Sequence, residues 1–444
     1  MGKFPYKAEN DEVRPLAANI FNEAFERVLK KFKIACDLRI RKFQRLKARV
    51  PAYTLPDPLI TNDSIHVESA KSWYEQRRPE IIELFRANVY GHSWLPARAT
   101  AISITSSDEN ALNGHATRKE VRVGLKGRAD FPSIKLLLYL PNKIKKQGMR
   151  VPVFLGLNFY GNQTILIDPA ISINKSWVPK KPILKGKAPD KLRGIDSSSW
   201  PVEFVLEHGY GLATAYCGDI VPDRRDGLYL SILKWCGEEA DNIATDSWGA
   251  IGGWAWGLSR AMDYIEQDEE LDANKVAVMG HSRLGKAALW AGAQDERFAI
   301  VISNESGCGG AALSKRKFGE SVAEINSSFP HWFCEHFKHY NDREEALPVD
   351  QHELIALIAP RPVYVASARL DLDADPMGEF LATKHASPVY RLLGTSGLPA
   401  EELPAVNVPV MGTMGYHIRT GRHGITLFDW SRFIEFADMH FKNK

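Results

Sequence analysis

Cysteine is scarce in this chain. Its five cysteines, Cys36, Cys217, Cys236, Cys308 and Cys334, are too scattered for a zinc site or a redox pair, and an odd count leaves at least one thiol unpaired. No apolar run is long enough to span a bilayer. Neither sign of charge dominates: 57 Lys and Arg against 54 Asp and Glu give a net +3, too little to imply a nucleic-acid partner, and no nucleic-acid-binding motif occurs. The H-E-x-x-H spacing of a metal site is absent, as are repeats and low-complexity tracts. Neither a metal nor another cofactor is expected. The opening residues, MGKFPYKAENDEVR, lack the apolar core of a signal peptide. A cytoplasmic protein and a mature or differently started chain both fit that, and nothing in the sequence speaks to oligomeric state.

What is present is the composition of a globular protein, 44% hydrophobic and 25% charged. Residues 14–49 read as a helix with Ile20, Phe21, Phe25, Val28, Leu29 and Phe32 at helical spacing and a basic second half. A membrane-surface helix and a helix packed by one face on the body are alternatives, the second being the commoner. PAYTLPDP at 51–58 ends it, so residues 1–50 are expected as a basic helical extension and 51–444 as one catalytic domain. Within that domain, strands are expected at 101–106, 119–123, 134–140, 151–158, 211–216, 298–304 and 363–367, with a weak one at 405–410. Helices are expected at 69–88, 202–208, 248–267 and 427–441, and residues 164–200, rich in Pro, Lys and Ser, as a surface insertion. Near-continuous apolar strands alternating with helices predict an α/β class, a doubly wound and mostly parallel sheet.

One stretch carries chemistry. KVAVMGHSRLGKAALW, 275–290, reads as a buried strand, a turn and a helix, with Ser282 in the turn. Such a corner presents a hydroxyl at the top of a sheet, beside backbone N–H groups that can hold an oxyanion. Gly280 and Ser282 fit G-x-S-x-G, but the second glycine is one place late, at Gly285. A serine that only caps the helix is the alternative.

A serine nucleophile needs an imidazole to take its proton and an acid to orient that imidazole. In the strand-serine-helix architecture these follow the serine, acid before histidine, in loops at strand C-terminal ends. Glu305 follows the strand at 298–304; Asp371 and Asp373 follow the strand at 363–367. HIRTGRHG supplies His417 and His423, of which His423, between Arg422 and Gly424, is the better placed for an exposed loop. His331, His336, His339 and His352 are expected to be structural or surface residues.

GHSRLGKAALWAG resembles the G-x-S-R-x-G-K elbow of the glucuronoyl esterases, carbohydrate esterase family 15. PAYTLPDP, RRPEIIELFRANVYG, FLGLNFYGN, YCGDIVPD, SNESGCGGAALSKR, SSFPHWF, ADPMGEFLA and GYHIRTGRHGIT resemble its bacterial members in the same order, over roughly residues 50 to 440. The resemblance implies an α/β-hydrolase fold, a three-layer sandwich. It implies a serine carboxylic-ester hydrolase that cleaves esters between glucuronic acid of xylan and lignin alcohols through an acyl-enzyme. Another carbohydrate ester, such as acetyl xylan, and an inactive carbohydrate-binding relative are the alternatives.

Position by position, the resemblance implies that Ser282 is the nucleophile, His423 the general base, and Glu305 and Asp371 alternative acids. Arg283 would support the oxyanion with N–H groups near Gly285; Lys286 and Glu320 would bind sugar hydroxyls, and Trp332 would line the pocket or the core. The expected substrate is glucuronoxylan or a lignin-carbohydrate ester, with no nucleic-acid partner. The role would place the enzyme in the periplasm or outside the cell. Two departures from the family pattern stand out. His281 occupies the place of a fungal disulfide cysteine, and Asp373 that of a tryptophan that packs on the uronic acid.

Overall fold

The computed structural model describes residues 50–93, 98–99, 101–124, 133–179, 189–230 and 245–442. The expected helix at 14–49 lies outside them. Pro51–Lys444 form one compact unit. Among the described residues its centre is a nine-stranded sheet: β1 Ala101–Asn110, β2 Ala116–Gly124, β3 Ile134–Pro141, β4 Val151–Asn158, β5 Gly211–Tyr216, β6 Leu271–His281, β7 Ile300–Asn304, β8 Val363–Ala368 and β9 Met414–Arg419. The spatial order is β1-β2-β3-β5-β4-β6-β7-β8-β9. The first three strands and the β3–β5 pair are antiparallel, and every pair from β5 to β9 is parallel.

The sheet is covered on both faces, and the strand sequences show why. Along β6, Val276 and Val278 enter one core while Ala277 and Met279 enter the other; along β8, Val363 and Val365 part from Tyr364 and Ala366 in the same way. Alternate side chains face opposite layers, so a strand buried twice reads as an unbroken apolar run. The first layer holds α1 (Arg78–Phe85), α2 (Ala250–Ile265), α3 (Arg283–Gln294) and α4 (Pro376–His385), through Phe85, Trp254, Trp290 and Phe380. The second holds α5 (Leu427–Phe441), through Trp430, Phe433 and Phe436. This is the three-layer α/β sandwich that the sequence predicts.

Two expectations fail. Residues 405–410 form no strand: Pro404 and Pro409 supply no N–H, and Asn407 turns at φ 67°. The last strand is β9, where Gly415 and two charged or ionisable residues, His417 and Arg419, hide the apolar pattern. The insertion is also not purely superficial, since Ile165, Ile171 and Trp200 are buried in the second core.

Candidate active site

β6 runs out of the core at His281, and the next residue, Ser282, turns at φ 57° and ψ −131° before α3 begins at Arg283. A serine in that left-handed region is strained, and sharp turns of this kind lift a side chain out of the sheet. The turn works only with glycine beside it. A Cβ on Gly280 would lie 2.0 Å from Leu284 O, and one on Gly285 would lie 3.0 Å from Gly280 O and 3.1 Å from Ser306 Cβ. The displaced glycine of the sequence motif thus sits in a tight spot, where a side chain would push on Gly280 O and Ser306.

The donors at this turn differ from expectation in one respect. The Gly285 and Lys286 N–H groups bond to Ser282 O, at 2.9 and 3.3 Å, and the Ser282 N–H bonds to Asn304 O at 2.9 Å. What remains in the first turn of α3 are the N–H groups of Arg283 and Leu284, which precede the helical ladder. The Arg283 guanidinium lies 4.5 Å above the Phe159 ring and 5.7 Å from the Trp332 ring. Its Nε is 2.8 Å from Asp223 Oδ2, out of line for a hydrogen bond, so charge holds the pair.

Asp223 was not foreseen as a site residue, although YCGDIVPD contains it. It follows β5 at the same end of the sheet. Its other oxygen accepts from His331 Nε2 at 2.9 Å and Trp332 Nε1 at 2.8 Å. Burial alone would raise its pKa, but His331, Arg283 and Trp332 outweigh that and hold the carboxyl below its ordinary range. It stays ionised and fixes Arg283 and Trp332 in one arrangement. Trp332 is buried, stacked on Phe329 at 3.8 Å.

The structure brings His423 and both candidate acids together. His423 Nδ1 is 2.6 Å from Asp371 Oδ2 and 3.3 Å from Glu305 Oε2. One ring nitrogen thus faces carboxylates, and Nε2 is the nitrogen left for proton exchange. The His423 ring packs on His281, centroids 4.5 Å apart, which sets it beside the residue preceding Ser282. Glu305 is more committed elsewhere: Oε1 accepts from Arg419 Nη2 at 2.6 Å and Oε2 from the Gly424 N–H at 2.8 Å. Burial pushes its pKa well up, opposed by Arg419.

Arg419 was also missed. At the end of β9 it donates Nε to both oxygens of Asp429, and its guanidinium also reaches Arg422 O and Gly424 O. It thereby ties the loop around His423 to the start of α5. His417 is fully buried between Tyr364 Oη and Asp429, both 2.9 Å away, and is a core residue.

Lys286 is buried, and its ammonium donates to Ser306 O and Cys308 O, which leaves one N–H beside the Trp332 ring 5.9 Å away. Burial lowers its pKa, opposed first by Glu320. Glu320 in turn is raised by burial, with Lys286 opposing and Asp373 adding repulsion. Asp373 is exposed, and its carbonyl accepts the Glu320 N–H at 2.9 Å. The 306–308 loop is supported from below by Glu379, whose Oε1 accepts the Gly307 N–H at 3.0 Å. His281, Glu305 and His423 place ligand-type atoms within 4.8 Å of one another. Both Glu305 oxygens already accept hydrogen bonds, from Arg419 and from the Gly424 N–H.

Comparison with known proteins gives this geometry a setting. A carbohydrate esterase, MZ0003, from an unknown prokaryotic organism is 51% identical over 407 residues, 90% of this chain and 92% of that protein. The chain belongs to carbohydrate esterase family 15, the glucuronoyl esterases. The family profile described as "Glucuronyl esterase, fungi" matches residues 243–394, which include the Ser282 turn, Glu305 and Asp371. A promiscuous CE15 esterase from a marine bacterial metagenome superposes with a TM-score of 0.82 at 50% identity, covering 89% of this chain and 99% of that one. The glucuronoyl esterase from Solibacter usitatus gives 0.83 at 45% identity, covering 89% and 100%. As a CE15 esterase this chain is a carboxylic-ester hydrolase with an α/β-hydrolase fold. Among the described residues no helix is long and apolar enough to cross a membrane.

Proposed function

We propose that this esterase hydrolyses esters of glucuronic acid, with Ser282 as nucleophile, His423 as general base and Asp371 as the main orienting acid. The observation that carries the assignment is the 2.6 Å contact of His423 Nδ1 with Asp371, on a ring packed beside the strained Ser282 turn. Ser282 Oγ attacks the ester carbonyl while His423 Nε2 takes its proton. The carbonyl oxygen becomes an oxyanion, opposed by the Arg283 and Leu284 N–H groups and the Arg283 guanidinium. Losing one such donor typically costs about 10²–10³ in turnover. The tetrahedral species collapses, the C–O bond to the alcohol breaks, and His423 returns the proton to that alcohol. Water then repeats the sequence on the acyl-serine and releases the uronate.

Lys286, Glu320 and Trp332 are the groups proposed to meet the sugar. The relative from Phanerochaete carnosa, 28% identical over 357 residues (77% of this chain, 72% of that protein), is a 4-O-methyl-glucuronoyl methylesterase, which supports that acyl group. Glucuronoxylan or a lignin-carbohydrate ester is the proposed natural substrate. A wider ester range is the second reading, favoured by exposed Asp373 beside Glu320, an acidic rim where the family pattern has an aromatic one. Turnover of benzyl glucuronate beside p-nitrophenyl acetate separates the two. Hydrolysis of the acetate alone rules out the first reading; a strong preference for the glucuronate rules out the second.

A further inference from the structure

Asn304 closes β7 and touches both halves of the site. Its backbone carbonyl takes the Ser282 N–H at 2.9 Å. Its side-chain Nδ2 donates to His281 Nδ1 at 2.9 Å and to Gly424 O at 3.2 Å. His281 is the residue before the nucleophile and Gly424 the residue after His423. A single amide therefore spans the two chain segments whose spacing sets the Ser282–His423 approach. His281 and Asn304 also face each other across the β6–β7 pair, so the sheet register itself delivers the contact.

Donor counting fixes the orientation and the proton. Gly424 O accepts only, so turning the amide over would set Asn304 Oδ1 against another carbonyl oxygen. With Nδ2 in place, His281 Nδ1 must present its lone pair, and the ring proton sits on Nε2. Among the described residues, Asn304 Oδ1 is buried without a hydrogen-bond partner. The His281 ring is packed between His423 (4.5 Å) and the edge of Phe159 (6.2 Å).

We propose that Asn304 is a positioning residue of the esterase: its amide clasps His281 to Gly424, holding the nucleophile turn against the His423 loop and fixing His281 with its proton on Nε2. The clasp rests on the assignment of Ser282 and His423 above. It serves the reaction because His423 becomes an imidazolium during attack, and a second charge on the ring beside it would oppose that. Burial, and then the charge of His423, keep His281 well below the ordinary histidine range; Arg419 acts in the same direction, while Asp429 and a hydrogen bond to the Asn304 backbone act against it. Asp371 and Glu305 face His423 at Nδ1, and Glu305 also places a carboxylate oxygen within 4.8 Å of a His281 ring nitrogen.

Two measurements test the clasp. In wild-type enzyme labelled with ¹⁵N-histidine, long-range ¹H–¹⁵N spectra, with the signal assigned by His281→Phe, should show the His281 proton on Nε2 at neutral pH. A proton on Nδ1 overturns the proposal. In folded Asn304→Ala, kcat should fall by about tenfold or more with KM within about twofold. The acid limb of kcat/KM should steepen as His281, freed at Nδ1, begins to titrate beside His423. A variant with wild-type kcat and a wild-type acid limb overturns it. The spectrum of the wild type stands even if the variant fails to fold. If Ser282→Ala kept full activity, the nucleophile assignment would fail while the tautomer result remained readable, so the two failures are distinguishable.

Discussion

Asp371→Asn and Glu305→Gln measure how two carboxylates divide one imidazole. The structure sets the odds unequally, 2.6 Å for Asp371 and 3.3 Å for Glu305. At an effective dielectric of about 20, the two separations differ by at most about 1.4 kcal/mol in their attraction for a unit charge on Nδ1, since solvent on the half-exposed His423 ring screens both. That upper bound is about a factor of ten. Glu305 is weakened further, because its oxygens also serve Arg419 and Gly424 and its burial favours the neutral form. Losing the only acid of a triad costs about 10⁴ in turnover, through the wrong tautomer. With Glu305 still at hand, Asp371→Asn should cost less, about 10² in kcat/KM on benzyl glucuronate. Glu305→Gln leaves the stronger partner in place and should cost less than tenfold, and the double variant should approach about 10⁴. Initial rates from pH 5 to 9, with melting temperatures as the control for folding, decide it. A larger loss from Glu305→Gln than from Asp371→Asn refutes the distance argument. A double variant no worse than Asp371→Asn removes Glu305 from the orienting role.

Asp223→Asn takes the charge from beneath Arg283 while keeping an acceptor for Trp332, so kcat should drop by about tenfold or more; wild-type kcat would show that Arg283 is held without it. Glu379 predicts a pH effect on stability. Burial raises it to about 8. One chain of oxygens agrees with a proton there: Glu379 Oε2 to Ser367 Oγ (2.6 Å), Ser367 Oγ to Tyr416 Oη (2.9 Å), Tyr416 Oη to Pro376 O (2.8 Å). Tyr416 has one proton and Pro376 O only accepts, so every contact is filled when the carboxyl donates to Ser367. The folded state then holds a proton that the unfolded chain releases near pH 4.3, so this group's contribution falls as pH rises from about 4.3 to about 8. Glu379→Gln donates to Ser367 at every pH and should melt a few degrees above wild type at pH 8 and near it at pH 5; the same difference at both pH values would contradict the argument. If residues 1–50 are an accessory extension, deleting residues 1–45 should leave kcat/KM on a soluble ester within about twofold; a large loss with the fold intact would make that segment part of the site.

The sequence made some of this legible because local rules suffice for it. Strands β4 and β5 and helix α5 appear at their observed bounds, since unbroken apolar runs and a long amphipathic period leave little ambiguity. Ser282 was visible because strand, turn and helix are contiguous in the chain. β9 was not, because its exposed-looking His417 and Arg419 are buried through pairing with Asp429, an interaction 10 or more residues away in the chain. The same limit applies to the site. Chain order proposed Glu305 and Asp371 together, but only folding ranks them, by bringing Arg419 to one and not the other. Asp223 meets Arg283, and Asn304 meets Gly424, across separations of 60 and 120 residues that no motif spans.

The central claim is that ester cleavage passes through Ser282. The most direct measurement is turnover of benzyl glucuronate by Ser282→Ala with an unchanged melting temperature. The expected result is a loss of at least about 10⁴, leaving the residual catalysis that the oxyanion donors and substrate binding supply. A folded variant that keeps more than about a tenth of wild-type kcat would contradict it.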